Sequence, residues 1–388
     1  LAPGGSTSVD VIVDNSLGTQ PATVTWTATS PNTGITFSPS TSSTTVAAGQ
    51  SATVPLTVTA SSTASAGFYA VTISGKASNG AVLANASILV TVAAPGQVIP
   101  TAYVSNYSDN TVTPVDRANN TAGPVIPVGS GPDGVAVTPN GAEVYVANNN
   151  TNNVSVISTA TNQGIATVPV GSVAADVAAT PDGKTVWVTN YGDGTVQPID
   201  VATHTAGAPV AVGANPERDA ISPDGKYLWI ANQGAGTASE IDLSTDTVAH
   251  TVTVGAQPFG VTVGPDDTAY VGNTGSNSVS VINASGAVTG TIALGSSPSG
   301  LGVSPAGSEL YVTVATGGIV PIATATNTVG ALIATGASAY AVSFSTDGAT
   351  AWVVDSGAND IRPITVATGA VGPSVPVGNV PDGIGLTP

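Results

Sequence analysis

Seven four-residue phrases organise the chain. They are Tyr103-Val104-Ser105-Asn106, Tyr145-Val146-Ala147-Asn148, Trp187-Val188-Thr189-Asn190, Trp229-Ile230-Ala231-Asn232, Tyr270-Val271-Gly272-Asn273, Tyr311-Val312-Thr313-Val314 and Trp352-Val353-Val354-Asp355. Their first residues stand 42, 42, 42, 41, 41 and 41 positions apart. One aromatic strand phrase per unit at this period predicts a β-propeller or a solenoid. A full unit is legible around Tyr145. Val135-Ala136-Val137 is a short strand, A, turned by Pro139-Asn140-Gly141; 143–147 is strand B; 148–152 is a polar loop. Residues 154–157 are strand C, Ala160-Thr161-Asn162 is a turn, and 166–170 is strand D. Four antiparallel strands with hairpin turns make a propeller blade, whereas a β-helix uses shorter rungs without them.

The punctuation has a physical basis. In Pro181-Asp182-Gly183 and Pro223-Asp224-Gly225, proline presets φ, aspartate hydrogen-bonds the backbone and glycine takes the left-handed position. Each strand D ends in glycine (Gly129, Gly171, Gly213, Gly255, Gly295, Gly336, Gly378), which reads as a backbone bend. The repeat region opens on a strand B and ends, at 381–388, on a strand A. The two ends therefore complete one blade, which predicts seven blades closed by the C-terminal strand and without open edges. Pro223-Asp224-Gly225-Lys226-Tyr227-Leu228-Trp229-Ile230-Ala231-Asn232 and Asn153-Val154-Ser155-Val156-Ile157-Ser158-Thr159-Ala160-Thr161-Asn162 resemble the repeat of the YVTN family of seven-bladed propellers. That resemblance implies the fold over 98–388 and is nearly silent on chemistry, since such repeats occur in surface-layer proteins and periplasmic binders. The sixth unit departs from the pattern at Val314, and the seventh at Ser345-Thr346-Asp347-Gly348; these units are expected to be less regular.

Residues 1–95 lack the repeat. Short strands of period two, separated by turns at 15–18, 30–32, 48–50 and 79–80, predict a β-sandwich with Trp26 in its core. The stretches 46–54 and Gly67-Phe68-Tyr69-Ala70-Val71-Thr72-Ile73 resemble bacterial immunoglobulin-like modules, which implies a spacer or adhesive role. Ala94-Pro95-Gly96-Gln97 reads as a short semi-rigid linker. Strand B begins at the face opposite the ligand mouth, so the sandwich is expected at the bottom or side of the propeller.

Composition narrows function. The 388 residues are 41% hydrophobic and 7% charged, with no Cys and no Met. Without Cys there is no disulfide framework and no thiolate chemistry. No apolar run reaches the ~18 residues that a membrane-spanning helix needs. Up to residue 97 the only charged side chains are Asp10, Asp14 and Lys76. The remaining 21 carboxylates and five basic residues lie beyond, a balance of −16. Such a surface argues against nucleic acid, whose phosphates need Lys and Arg clusters. Few Lys, no Cys and much Thr, Asn and Gly suggest a secreted or cell-surface protein. The absence of an initial Met suggests a processed or trimmed chain.

A ligand site is expected where the inner strands open onto the axis. The D-to-A loops bring Asp133, Asp176, Glu217, Arg218, Asp219, Phe259, Tyr340 and Asp382 there; the B-to-C loops add Tyr107, Asp109, Tyr191, Asp193, Asp355, Asp360 and Arg362. Nine carboxylates against two arginines make an electronegative mouth. It suits a hard cation such as Ca2+ or a carbohydrate or cationic ligand, or else it is a solvated rim. Glu217-Arg218-Asp219 replaces the usual start of strand A and is the strongest candidate. His204 and His250 fall at peripheral positions, which argues against histidine-based acid–base chemistry and a His-ligated metal. The leading expectation is an extracellular binding or scaffold protein with a protein, glycan or cation at the mouth. The alternatives are a carboxylate-dependent polysaccharide or lactone hydrolase or lyase, and a self-associating surface-layer protein.

Overall fold

The computed structural model describes residues 1–15, 19–30, 33–77, 82–92, 99–336 and 338–388. All its regular elements are β-strands, and no helix among the described residues could cross a membrane. The turns expected at 16–18, 31–32 and 79–80 and the linker 94–97 lie outside the described residues. The chain divides into two compact units, 1–100 with 116–123, and 101–115 with 124–388.

Among the described residues of the first unit, seven strands form two sheets. Ser6–Asn15 pairs with Gln50–Ala60, which pairs with Ile35–Ser38; Thr41–Val46, Ala22–Thr29, Gly67–Ala77 and Val82–Val92 make the other sheet, in that order. Alternation decides the faces: Val24, Trp26 and Ala28 are buried while Thr25 and Thr29 are exposed. Both sheets feed one apolar core that holds Trp26, Leu56, Val58, Val71 and Val92. Burying Trp26 contributes about 2–3 kcal/mol.

The second unit is a succession of seven small antiparallel sheets. One comprises Pro132–Val137, Glu143–Asn148, Asn153–Ser158 and Gln163–Pro169. Strand A therefore begins three residues earlier than expected, across a register shift between Pro132 and Val135. The other A strands are Ala174–Ala179, Pro216–Ile221, Pro258–Val263, Pro298–Val303, Ala339–Phe344 and Pro381–Leu386. Each carries the same irregularity near its start. Each A strand lies against the next, and Pro381–Leu386 lies against both Ala339–Phe344 and Pro132–Val137. Pro381–Leu386 also pairs with Thr101–Asn106, so the two ends of the unit share a sheet.

Proline governs the outer strands. In four sheets the fourth residue of strand C is proline: Pro114, Pro198, Pro321 and Pro363. Proline has no N–H to offer, and in those four sheets strand D splits into two short pieces on either side of it. Val156, Glu240 and Val281 hold the position in the other three, where strand D runs unbroken.

The phrase residues are the spine. All seven aromatics are buried. The terminal Asn106, Asn148, Asn190, Asn232 and Asn273 are 0% exposed, so these polar side chains need partners inside the fold. Asn273 Nδ2 donates to Ser278 Oγ (3.2 Å) and Ser280 Oγ (3.0 Å); Asn232 does the same with Thr237 and Ser239. This contact explains the strand D glycines better than a bend does. A Cβ on Gly129, Gly171, Gly213 or Gly255 would stand 2.6 Å from the Cγ of Asn148, Asn190, Asn232 or Asn273, respectively. Their φ angles are not positive. Where Val314 replaces the asparagine, a Cβ on Gly295 would meet nothing within 4 Å, and only that glycine has a positive φ, 73°. The turn at Ser345-Thr346-Asp347-Gly348 is regular despite its sequence. Ser345 Oγ donates to Asp347 Oδ1 (2.6 Å), as Thr180 Oγ1 does to Asp182 Oδ1 (2.7 Å) in the proline-bearing turn.

Gly255→Ala is expected to destabilise the chain by about 1–3 kcal/mol in urea titration, through overpacking. Combining it with Asn273→Ala should cost less than the sum of the two single changes, because the second removes two of the three atoms that the new Cβ meets, Cγ and Nδ2, and leaves only Cβ.

Candidate functional site

The start of strand A projects side chains toward the point where the seven A strands meet. A register shift of this kind bends the strand and re-aims its side chains. The second residue of each strand A is Asp133, Ala175, Glu217, Phe259, Ser299, Tyr340 or Asp382; the third is Gly134, Asp176, Arg218, Gly260, Gly300, Ala341 or Gly383. Glycine dominates the third place because the neighbouring strand is close. A Cβ on Gly300 would stand 2.6 Å from the Tyr340 carbonyl oxygen, and one on Gly383 would run into the Asp133 carbonyl oxygen. Asp176 and Arg218 are the departures that carry charge.

Arg218 is the hub. Its Nη2 donates to Asp133 Oδ1 at 2.7 Å, and its Nη1 lies 3.5 Å from Asp176 Oδ1. The guanidinium carbon is 5.5 Å from the centroid of the Phe259 ring and 5.8 Å from that of Tyr340, and the two rings meet edge to face at 5.9 Å. One arginine thus touches side chains of four other A strands. Asp219 N–H donates to Asp176 Oδ2 (3.2 Å), and Thr189 Oγ1 donates to Asp219 Oδ2 (2.9 Å). Asp176, Arg218, Asp219 and Tyr340 line a cavity of about 190 Å3.

Burial sets the electrostatics. It pushes the Asp176 carboxyl up to about 6 against the pull of Arg218. Glu217 rises to about 7 through burial, again opposed by Arg218. Asp382 rises to about 7 through burial and the nearby Asp133. Asp219 is held well above the carboxylate range by burial and by Asp176. Burial disfavours the charge on Arg218, but Asp133, Asp176, Tyr340 and Glu217 hold its pKa above the ordinary value. The cluster is therefore a desolvated arginine among five carboxyl groups, some of which exchange protons near neutrality.

The structure brings Glu217, Arg218, Asp219, Asp133, Asp176, Asp382, Tyr340 and Phe259 together. Tyr107 and Tyr191 sit in the B-to-C loops. Their backbone N–H groups pair with the carbonyls of Val380 and Val173, and neither residue lines the cavity. The B-to-C loop carboxylates are loop ties rather than a mouth. Asp109 receives Asn379 N–H (2.7 Å), Asp193 receives Ser172 N–H (2.7 Å), and Asp355 receives the N–H groups of Ser338, Gly357 and Ala358. Asp360 pairs with Arg362 on its own strand at 2.9 Å. His204 sits in a C-to-D turn beside Glu143 (3.2 Å), and His250 bonds the buried Glu240. Among the described residues, no group of three or more His, Asp or Glu side chains is disposed to hold a metal ion.

Thr189 was not among the residues singled out in the sequence, although its signal is there. The third place of the phrase holds Ser105, Thr189 and Thr313 against Ala, Gly or Val elsewhere. Each of these hydroxyls donates to the strand A of the next sheet.

The comparisons with known proteins agree on architecture. The model of the YNCE-like β-propeller family matches residues 165–329. A solved chain of Kuenenia stuttgartiensis hydrazine synthase superposes with a TM-score of 0.65 at 23% identity, over 69% of this chain and 93% of its own. A functionally unknown protein from Desulfotomaculum acetoxidans gives 0.64 at 17% identity, over 74% of this chain and 99% of its own. The dihydro-heme d1 dehydrogenase NirN, in complex with DHE, gives 0.56 at 17% identity, over 74% and 75%. The repeat region is a β-propeller. No curated protein matches the sequence.

Two outcomes test the electrostatics. Asp176, Glu217 and Asp382 have folded-state pKa values above their unfolded values, so the folded chain binds more protons between about pH 4 and 7. Stability is then expected to fall as pH rises through that window. Thermal unfolding of Glu217→Gln at pH 5 and pH 8 should show a smaller difference than the wild type. Arg218→Met is expected to cost about 3–5 kcal/mol at pH 8, because it strands buried carboxylates. The loss should shrink at pH 5, where they are protonated.

Proposed function

We propose that this chain is a secreted or cell-surface binding protein. In this reading an immunoglobulin-like sandwich, 1–95, carries a seven-bladed YVTN-type propeller, 98–388, whose axial mouth recognises a cationic group on a protein or glycan. The observation that carries it is the convergence of five carboxyl groups and two aromatic rings on the one arginine that interrupts the inner-strand repeat. Arg218 offsets one of those charges. A second cation at the rim meets Asp133, Glu217 and Asp382, with Phe259 and Tyr340 beside them. Carboxylates in a cleft of low dielectric attract cations from a distance, and aromatic faces add to the attraction at contact. Export is supported by the low Lys content and the absence of Cys.

One observation favours a second reading. Glu217 and Asp382 titrate near neutral pH, the range in which a carboxyl group serves as an acid or a base. That would suit a polysaccharide or lactone hydrolase or lyase.

The test presents the chain to amino-sugar and neutral glycans and to basic and acidic peptides. Retention of the cationic members alone is expected, falling about tenfold or more toward 1 M salt, where the Debye length is about 3 Å. Glu217→Gln with Asp382→Asn should weaken retention by about tenfold, a change of about 1.4 kcal/mol, at a Tm no lower than that of the wild type. Retention that ignores charge, salt and these substitutions contradicts the proposal. Turnover of a polysaccharide or lactone, lost in the same variant, would favour the second reading. A calcium titration on both proteins reads the hard-cation alternative.

A further inference from the structure

Deeper along the A strands than the charged rim lies the cavity of about 190 Å3. One water needs only ~10–15 Å3, so the space suits a larger guest. Its wall receives the fourth residue of every strand A. Six of these are aliphatic: Val135, Val177, Val261, Leu301, Val342 and Ile384. The seventh is Asp219, which is 8% exposed. Thr189 Oγ1 satisfies Asp219 Oδ2, and Oδ1 has no partner. A carboxyl oxygen buried without a donor is costly, and an aliphatic residue serves the same position in every other repeat. The side wall carries Asp176, and Arg218 lies beside it.

We infer that this chamber receives a primary alkylammonium group, its nitrogen bonded to Asp219 Oδ1 and Asp176 and its methylenes packed on the aliphatic collar. The inference rests on the reading of the axial mouth as a binding site and names the chemical class that enters it. The collar offers no hydrogen bonds, so the body of the guest must be apolar. An ammonium beside the two carboxyl groups favours the ionised form of Asp219, which burial otherwise keeps protonated, and charge strengthens the N–H bonds that both groups then accept. An ammonium on a flexible stem brings three donors to a compact point. A planar guanidinium finds its place taken, because Arg218 already bridges Asp133 and Asp176. The group could belong to a lysine side chain of a partner or to a free alkylamine.

Isothermal calorimetry on the full chain tests this with n-pentylammonium, 1-pentanol and Nα-acetyl-lysine amide. The amine is expected to bind about tenfold or more tightly than the alcohol. Asp219→Asn should lose that preference. Leu301→Phe, which fills the chamber and removes no charge, should abolish amine binding at unchanged Tm. Acetyl-lysine amide binding as well as pentylammonium assigns the site to a protein lysine, and weaker binding assigns it to a free amine. Equal affinity for amine and alcohol, or amine binding indifferent to both substitutions, overturns the inference. Amine binding lost in Glu217→Gln/Asp382→Asn but kept in Asp219→Asn and Leu301→Phe would leave the rim reading standing and remove the chamber. Chamber binding without any cationic preference on the array would do the reverse.

Discussion

The inner strands of the propeller pass one another so closely that a single Cβ decides what fits. At the third place of strand A, a methyl on Gly300 would press on the Tyr340 carbonyl, and one on Gly134 would come within 2.6 Å of Asp176 Cα. Glycine is therefore the resting choice there, and side chains larger than a methyl enter at two strands only, as Asp176 and Arg218. The same economy operates at the outer end of each sheet, where a glycine leaves room for the buried asparagine that closes strand B. Two steric niches, repeated around the unit, hold its sheets in register.

Against that background the Arg218 cluster is a local sacrifice of stability. A desolvated arginine, held by Asp133 and Asp176 and flanked by two rings, replaces a residue that needed no desolvation at all. Buried ion pairs of this kind rarely stabilise a fold better than an apolar substitute. Natural proteins retain such sites where function depends on them. Asp219 sharpens the point, since an aliphatic residue fills the same place in the six other strands and one of its oxygens is left unpaired. The departure from the repeat, the charge and the cavity coincide.

Much of this was legible in the residues. The all-β class follows from the period and the alternation, and the candidate cluster follows from one triplet that does not match its neighbours. The strand D glycines were visible, but their reason was not, because it lies in a side chain about 19 residues further along, across a tertiary contact. Likewise Asp109, Asp193 and Asp355 look like free rim charges in a linear reading. Only the loop backbone that folds back onto them reveals them as ties. Pro114, Pro198, Pro321 and Pro363 could have announced the split outer strands, since a proline in strand C has no N–H to donate to the neighbouring strand. Thr189 was hidden by its place in a phrase dominated by the aromatic and the asparagine.

The central claim is that function resides where the repeat is broken. It is tested most directly by restoring the repeat. Replacing Glu217, Arg218 and Asp219 together by Phe, Gly and Val copies Phe259-Gly260-Val261 of the next strand A. Equilibrium binding to cationic glycans and basic peptides should vanish in this variant, which should still fold, with a Tm below that of the wild type at pH 8, where Asp133 and Asp176 lose their arginine, and recovering toward pH 5. Binding that survives the repair would contradict the account, and so would a variant that no longer folds, since the cluster would then be holding the propeller together.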